Sequence, residues 1–359
     1  MTLDPSRLMT DENKQQQGNT NNKSDTALVD KSTTTTTIST ASSTTEQLVE
    51  TFERDGYLVL KNAIPIISTA TATPCPTTNH PLLEWQQFAN TYFTKCFEIL
   101  HDKGHTEFPT HKQLVLEEEE ADHHKYALGL GIKHGFREIV MRSPGRYELS
   151  LLDLIDHTGN GSADGGEVSR HPLWSSLGGT ALPSIQTIQQ HLHSKIPPLL
   201  GATHWNELSL CHLSLLVSTP GAAEQSWHAD GGHVNLTTHL PCHVANVFIP
   251  LQDLPLALGP TEFRPGSHVY TRNLAPLLLA AKCRKELRPT LTPTLSLGDV
   301  LVFDYRVLHR GKANTTASSY RNVLVLTYCQ PFFKDVLNFP TRSMYDAPVA
   351  DVAVDDNAE

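Results

Sequence analysis

The sequence predicts an α+β protein, mainly β, in which helical elements precede a β-sandwich or barrel. Three observations carry that expectation. Apolar residues recur at three- to four-residue spacing in the first half of the chain, as on amphipathic helices. From residue 207 the texture changes to short strand-like runs separated by Gly and Pro. Both ends are polar, which places the folded part at about residues 46 to 345 of the 359.

Residues 1–45 are rich in Asn, Gln, Ser and Thr, including the run Thr33 to Thr37. Such a segment buries too little apolar surface to offset its ordering entropy, so it reads as a disordered tail. Thr44 and Gln47 fit a capping box; Leu48, Val49 and Phe52 then form an apolar stripe, and Gly56 is a stop signal. The β-like run YLVLKNAI follows at 57–64, and a Pro- and Thr-rich loop at 65–80. A second helix fits 82–103, where Trp85, Phe88, Tyr92, Cys96 and Leu100 make a core-packing stripe. Ile139 to Arg142 reads as a strand that ends at the Pro144–Gly145 turn, and a helix near 184–195 follows a glycine-rich loop at 159–166. The strand series is then LSLCHLSLLV, VANVFIPL, TEFRPGSH, DVLVFDY and RNVLVLTYCQ, interrupted by one helical stretch at 274–287. The helical elaboration thus spans 46–200 and the β core 207–335 of one domain, and 346–359 is a short acidic tail.

A net charge of −10 without a Lys/Arg block argues against a nucleic-acid or anionic-membrane surface. The run Glu117 to Glu120 reads as a solvated loop. No apolar stretch reaches the length of a membrane span, and neither a signal-peptide core nor an SKL-type C-terminus is seen. A cytoplasmic location is the expectation. The cysteines at 75, 96, 211, 242, 283 and 329 lack CxxC spacing, so buried reduced thiols are expected rather than a zinc ribbon.

The chemistry concentrates late in the chain. His228 and Asp230 in SWHAD, with His309 in VLHRG, supply two imidazoles and one carboxylate, the ligand set of a facial iron(II) triad with open positions. H-x-D alone is weak, because about one such tripeptide arises by chance at this composition. His105 and Glu107 form a rival H-x-E pair without a strand pattern around it. Alternate residues on a strand share a face, so His228 and Asp230 can reach one ion, provided a strand carrying His309 crosses back over them. Arg321 opens an apolar strand and shares a face with Val323 and Val325. A buried guanidinium needs an anion, either a bound carboxylate or an internal Asp or Glu. His204, His212, His233, His239 and His243 read as loop or supporting residues; a zinc site drawn from them lacks the spacing of zinc hydrolases.

The ordered series FERDGYLVLKNAI (52–64), SWHAD (226–230), VANVFIPLQDL (244–254), LGPTEFRPGSH (258–268), LGDVLVFDYRVLHRG (297–311) and YRNVLVLTY (320–328) resembles the phytanoyl-CoA dioxygenase-like family of iron(II)/2-oxoglutarate oxygenases. The resemblance covers about 46 to 335. It implies a double-stranded β-helix core of jelly-roll or cupin-like type, with the N-terminal helices packed on one side. It also implies iron held by His228, Asp230 and His309, and Arg321 on the distal carboxylate of 2-oxoglutarate. Dioxygen and 2-oxoglutarate would be consumed and succinate and carbon dioxide released, with no separate acid–base pair. Asp230 speaks against halogenation, since halogenases of this type carry a small residue in its place. The sequence departs from the pattern at Gly311, where relatives carry Ser or Thr, and at Ala229, where a larger polar residue is common.

Strand parity adds Asn246, Phe248 and Ser214 as candidate wall residues of the cosubstrate pocket, with barrel packing as the alternative. Arg137, Arg142 and Arg146 are candidates for the border of the substrate entrance, with surface salt bridging as the alternative. His268 in PGSH is expected to fix a turn. The expected function is hydroxylation of a small organic molecule. A non-catalytic binding or scaffold module and a cupin-like metal enzyme that uses no 2-oxo acid are the competing readings.

Overall fold

The computed structural model describes residues 37–39, 43–66, 80–105, 135–152, 182–235, 237–269, 289–335 and 338–347. They open with a short strand β1 (Thr37–Ser39), which lies inside the segment expected to be a tail. Helix α1 (Thr45–Asp55) begins at the expected capping box. The Thr44 hydroxyl accepts from Gln47 N, and Gln47 Oε1 accepts from Thr44 N at 3.0 Å. Gly56 ends it in the left-handed region at φ 79°, and β2 (Tyr57–Lys61) follows directly. Helix α2 (Pro81–Asp102) matches the aromatic stripe: Trp85, Phe88, Tyr92, Cys96 and Leu100 are all buried. The Pro144–Gly145 turn joins β3 (Ile139–Ser143) to β4 (Arg146–Ser150), and α3 (Gln186–Leu192) is shorter than its expected span.

The strand series appears as β5 (Ser209–Ser218), β6 (Val244–Pro250), β7 (Thr261–Phe263), β8 (Val300–Asp304), β9 (His309–Gly311) and β10 (Arg321–Cys329). They build an eight-stranded sheet in the order β1-β2-β8-β6-β10-β5-β4-β3 and a two-stranded sheet, β7-β9. All pairings are antiparallel except β1 with β2.

Strands β6, β8 and β10 are buried at every position, the pattern of a sheet covered on both faces. Alternate residues go to different cores. Leu324, Leu326, Val247, Ile249, Val300 and Val302 join a cluster with Trp85, Phe88 and Tyr92 of α2. Val323, Val325, Phe248, Leu301 and Phe303 join a second cluster with Phe263 of β7. One set of alternating strand residues thus packs with Trp85, Phe88 and Tyr92 of α2, and the other with Phe263 of β7.

One expectation is overturned. Cys211 on β5 and Cys329 on β10 form a disulfide, with Cα atoms 6.4 Å apart, although reduced thiols were expected. The cysteines are 118 residues apart in sequence and meet only because β5 and β10 are paired. Cys96 and Cys242 are buried free thiols, as expected. The glycine-rich loop at 159–166, Glu117–Glu120, Glu107, the stretch at 274–287, Cys75 and Cys283 lie outside the described residues, as do nearly all of both tails. No helix among the described residues is long and apolar enough to cross a membrane.

Candidate metal centre and cosubstrate pocket

A cavity of about 420 Å³ opens on the face of the large sheet that looks toward β9. His228, Asp230 and His309 line its wall together. Their ligand atoms lie within 4.8 Å of one another, the one such group of His, Cys, Asp and Glu found among the described residues. His228 Nε2 is 3.7 Å from Asp230 Oδ1, and His309 Nε2 is 3.6 Å from Asp230 Oδ2.

Sequence parity expected His228 and Asp230 on a strand. They sit instead in an extended loop that touches the small sheet at a single bridge. His228 N donates to His309 O at 3.0 Å, and His309 N donates back to His228 O at 2.9 Å. Asp230 N and Gly231 N both donate to Tyr305 O, which turns the chain away after the carboxylate. A Cβ at Gly231 would lie 2.4 Å from the Tyr305 ring, so any larger residue there would have to displace that ring. Outside the loop, the Trp227 ring is stacked between Arg264 at 4.4 Å and Arg310 at 4.7 Å.

The donor set fits a divalent transition metal. His228 Nδ1 faces Ser226 O at 2.8 Å and His309 Nδ1 faces Val307 O at 3.0 Å. A carbonyl there requires the proton on Nδ1, which leaves both Nε2 lone pairs aimed at the Asp230 carboxylate and free to ligate. Desolvation in the cavity wall, helped by His309, pulls the His228 pKa down to about 4, so its ring is neutral at ordinary pH. The Asp230 carboxylate is held in turn. Asn246 Nδ2 on β6 donates to Asp230 Oδ2 at 2.7 Å, and Thr327 Oγ1 on β10 donates to Asn246 Oδ1 at 2.6 Å.

Deeper in the cavity, Arg321 is 1% exposed. Its Nη1 donates to Gly259 O, while its Nε has no hydrogen-bond partner. Burial alone draws its pKa down to about 10, so it stays cationic. No described carboxylate pairs with it, which removes the internal salt bridge as an explanation and leaves room for a bound anion.

The other expected site residues separate. Asn246 and Phe248 line the cavity, although Asn246 holds Asp230 and so supports a ligand. Ser214 is fully buried off the cavity wall, and its hydroxyl donates to Glu148 Oε1 at 2.6 Å. Arg142 lines the cavity mouth, bonded to Glu148 at 2.6 Å and stacked 5.0 Å over Phe339. Arg137 pairs with Glu138 at 3.1 Å outside the cavity. Arg146, expected near the entrance, is instead fully buried in the cavity wall. His268 bonds Glu53 O at 2.9 Å and packs on Gly56, as a turn-fixing residue would.

The sequence reading did not single out Glu148, His212, Tyr305 and Asn338 as cavity residues. His212 Nε2 lies 3.0 Å from Asp335 Oδ2, and Tyr305 and Asn338 bond the same carboxylate. A signal did exist on β4: Arg146, Glu148 and Ser150 alternate with apolar Tyr147 and Leu149, so a buried strand turns a polar face inward.

Residues 166–323 match the model of the phytanoyl-CoA dioxygenase (PhyH) family, a span that contains the triad and Arg321. This region is phytanoyl-CoA dioxygenase-like. A 110-residue stretch is 30% identical to "Dioxygenase easH" of Epichloe festucae var. lolii, taking in 30% of this chain and 55% of the relative. The chain thus spans about half the length of that relative. Among solved structures, HygX from Streptomyces hygroscopicus with nickel, 2-oxoglutarate and hygromycin B bound is 12% identical, covering 84% of this chain and 96% of that one at a TM-score of 0.43. The non-heme alpha ketoglutarate dependent carbocyclase SnoK from nogalamycin biosynthesis is 18% identical, covering 80% and 86% at 0.41. In the phytanoyl-CoA dioxygenase-like region the expected hydroxyl after the second histidine is replaced by Gly311, and the structure puts the Arg146 guanidinium against that glycine.

Proposed function

We propose that this chain is an iron(II)/2-oxoglutarate-dependent dioxygenase that hydroxylates a small organic molecule and releases succinate and carbon dioxide. One observation carries the reading. A two-histidine, one-carboxylate cluster with both Nε2 lone pairs convergent shares a cavity with a buried arginine whose Nε is unpartnered. The phytanoyl-CoA dioxygenase family match over the same residues supports it, as does the relative described as a dioxygenase.

In this reading 46–345 is one oxygenase domain, the two sheets form a double-stranded β-helix, and the protein is cytoplasmic. His228, Asp230 and His309 would hold iron(II), which when bound supplies activation of dioxygen for oxidation of a C–H bond. Asn246 keeps the Asp230 carboxylate turned toward the histidines. Arg321 binds and orients the distal carboxylate of 2-oxoglutarate by charge-assisted hydrogen bonds. Phe248, Val325 and Leu216 give the cavity an apolar wall that excludes water from the reacting end. Arg142, His212, Tyr305 and Asn338 offer a polar mouth to a substrate.

Anaerobic addition of iron(II) and then 2-oxoglutarate to the purified chain tests the proposal. The expected result is a weak visible charge-transfer absorbance, followed on exposure to oxygen by slow succinate release. Metal binding without any response to 2-oxoglutarate would favour a metal enzyme that uses no 2-oxo acid. Absence of metal binding would favour a scaffold.

A further inference from the structure

The deepest part of the cavity holds two buried arginines. Register places them together: Arg321 on β10 and Arg146 on β4 are both direct partners of Ser218 on β5, so all three side chains leave one face of the sheet in a row. Each carries an unmade hydrogen bond. Arg321 Nε, Ser218 Oγ and Arg146 Nε are buried without a partner. Buried polar atoms are normally satisfied, so three unsatisfied ones in a single row mark a place for a missing acceptor.

The charge balance points the same way. Burial and the neighbouring Arg321 both push the Arg146 pKa well down. The nearby acid, Glu224, is engaged by Arg310 and by Lys312 at 2.6 Å. Two like charges side by side in a dry site are costly unless an anion lies between them. Arg146 is nevertheless locked in place, with Nη1 donating to Gln225 Oε1 at 2.8 Å and Nη2 to Lys312 O at 2.7 Å.

Gly311 completes the arrangement. A Cβ built there would fall 1.3 Å from Arg146 Nη1 and 2.4 Å from its Cζ. A side-chain hydroxyl at 311 would therefore have to push the Arg146 guanidinium out of the position it holds.

We propose that Arg146 completes, with Arg321, the cradle for the distal carboxylate of the 2-oxo acid, and that Gly311 is glycine because the Arg146 guanidinium fills the space of the absent hydroxyl. This inference rests on the oxygenase reading and deepens it. Arg146 supplies from β4 a contact that the resemblance places on β9, and it adds a positive charge.

Calorimetry of the full chain loaded with Mn(II) under anaerobic conditions tests this with two probes, 2-oxoglutarate and pyruvate. Pyruvate shares the metal-binding end but lacks the distal carboxylate. Arg146→Gln should weaken 2-oxoglutarate about 10- to 100-fold, the range for lost charge-assisted hydrogen bonds, and leave pyruvate unchanged. Gly311→Ala should do the same by displacing the guanidinium. Arg146→Ala combined with Gly311→Ser should recover part of the loss, since the hydroxyl then has room. Unchanged 2-oxoglutarate affinity in either single variant overturns the inference, and so does an equal fall for both probes, which would mean a structural role. If Arg146→Gln does not fold, Gly311→Ala and Arg146→Lys give the same two readings. Wild-type protein that binds Mn(II) but not 2-oxoglutarate would instead overturn the oxygenase reading itself.

Discussion

The two faces of the large sheet are written by alternate residues of the same strands, yet they serve different ends. On β10, Leu324 and Leu326 face the helices among Trp85, Phe88 and Tyr92, while Arg321, Val323, Val325 and Thr327 face the small sheet. The helical face is filled with apolar side chains. The other begins as an apolar belt around Phe263 and Phe303 and gives way to a cavity with a carboxylate, imidazoles and unsatisfied guanidinium nitrogens. One face lowers the free energy of the fold, and the other carries polar groups whose desolvation the first must offset. A function that needs buried charge can therefore be placed on a strand only where the opposite face supplies enough burial.

This contrast breaks if substitutions on the cavity face leave activity intact. His228→Ala and Arg321→Ala should each abolish succinate release, and circular dichroism should show both variants folded. Undiminished turnover in both would sink the assignment. On the helical face, Leu324→Ala should cost about 2–5 kcal/mol of stability, the range for a large-to-small core substitution. Denaturant titration measures it, and 2-oxoglutarate affinity of the folded fraction should not change. A selective loss of affinity there would erase the division between the faces.

Smaller effects sharpen the comparison. Asn246→Ala removes the bond that orients Asp230 and should weaken metal binding about 10- to 100-fold, as loss of a ligand's hydrogen-bond partner does. Competition with a chelator reads that out, with little change in thermal midpoint expected.

Acid should act through histidines that burial keeps neutral, of which His228 lines the cavity. His228, His233, His239, His243 and His268 all have pKa values lowered by burial from 6.5. With folded values below unfolded ones, the unfolded chain binds more protons, so metal-free stability falls as pH drops below about 6.5. Glu148, Glu262 and Asp304 are lowered too and add losses only at more acidic pH, as they protonate through their folded values. Thermal melts of metal-free protein between pH 7 and 5 check this, and a flat midpoint would contradict it. Thr44→Ala, far from the cavity, should cost only about 1 kcal/mol by loss of the helix cap, with no effect on metal or 2-oxoglutarate binding.

Much of the architecture follows from local rules. The capping box at Thr44, the stop at Gly56, the aromatic stripe of α2 and the strand periods from residue 207 were legible because each depends on residues a few positions apart. His228, Asp230, His309 and Arg321 stood out in the sequence by residue type and order, and the structure brings the first three within 4.8 Å of one another. Strand parity alone was a weaker guide. It offered Asn246, Phe248 and Ser214 alike as cavity-wall residues, whereas the Ser214 hydroxyl turns to Glu148, and it gave no means of telling Arg137 from Arg146.

The sequence by itself determined most of the helices and strands, and a set of side chains whose chemistry suits a metal and an anion. Those properties are set by spacing along one stretch of chain. Only the tertiary structure decided that Arg146, Ser218 and Arg321 form one row, that Arg146 fills the space beside Gly311, that Asn246 steadies Asp230, and that Cys211 meets Cys329. The row and the disulfide depend on pairing between strands far apart in the sequence, and the other two contacts on how a loop and the second sheet lie against the first. A shift of one residue sends every side chain to the opposite face, and no local pattern fixes that pairing.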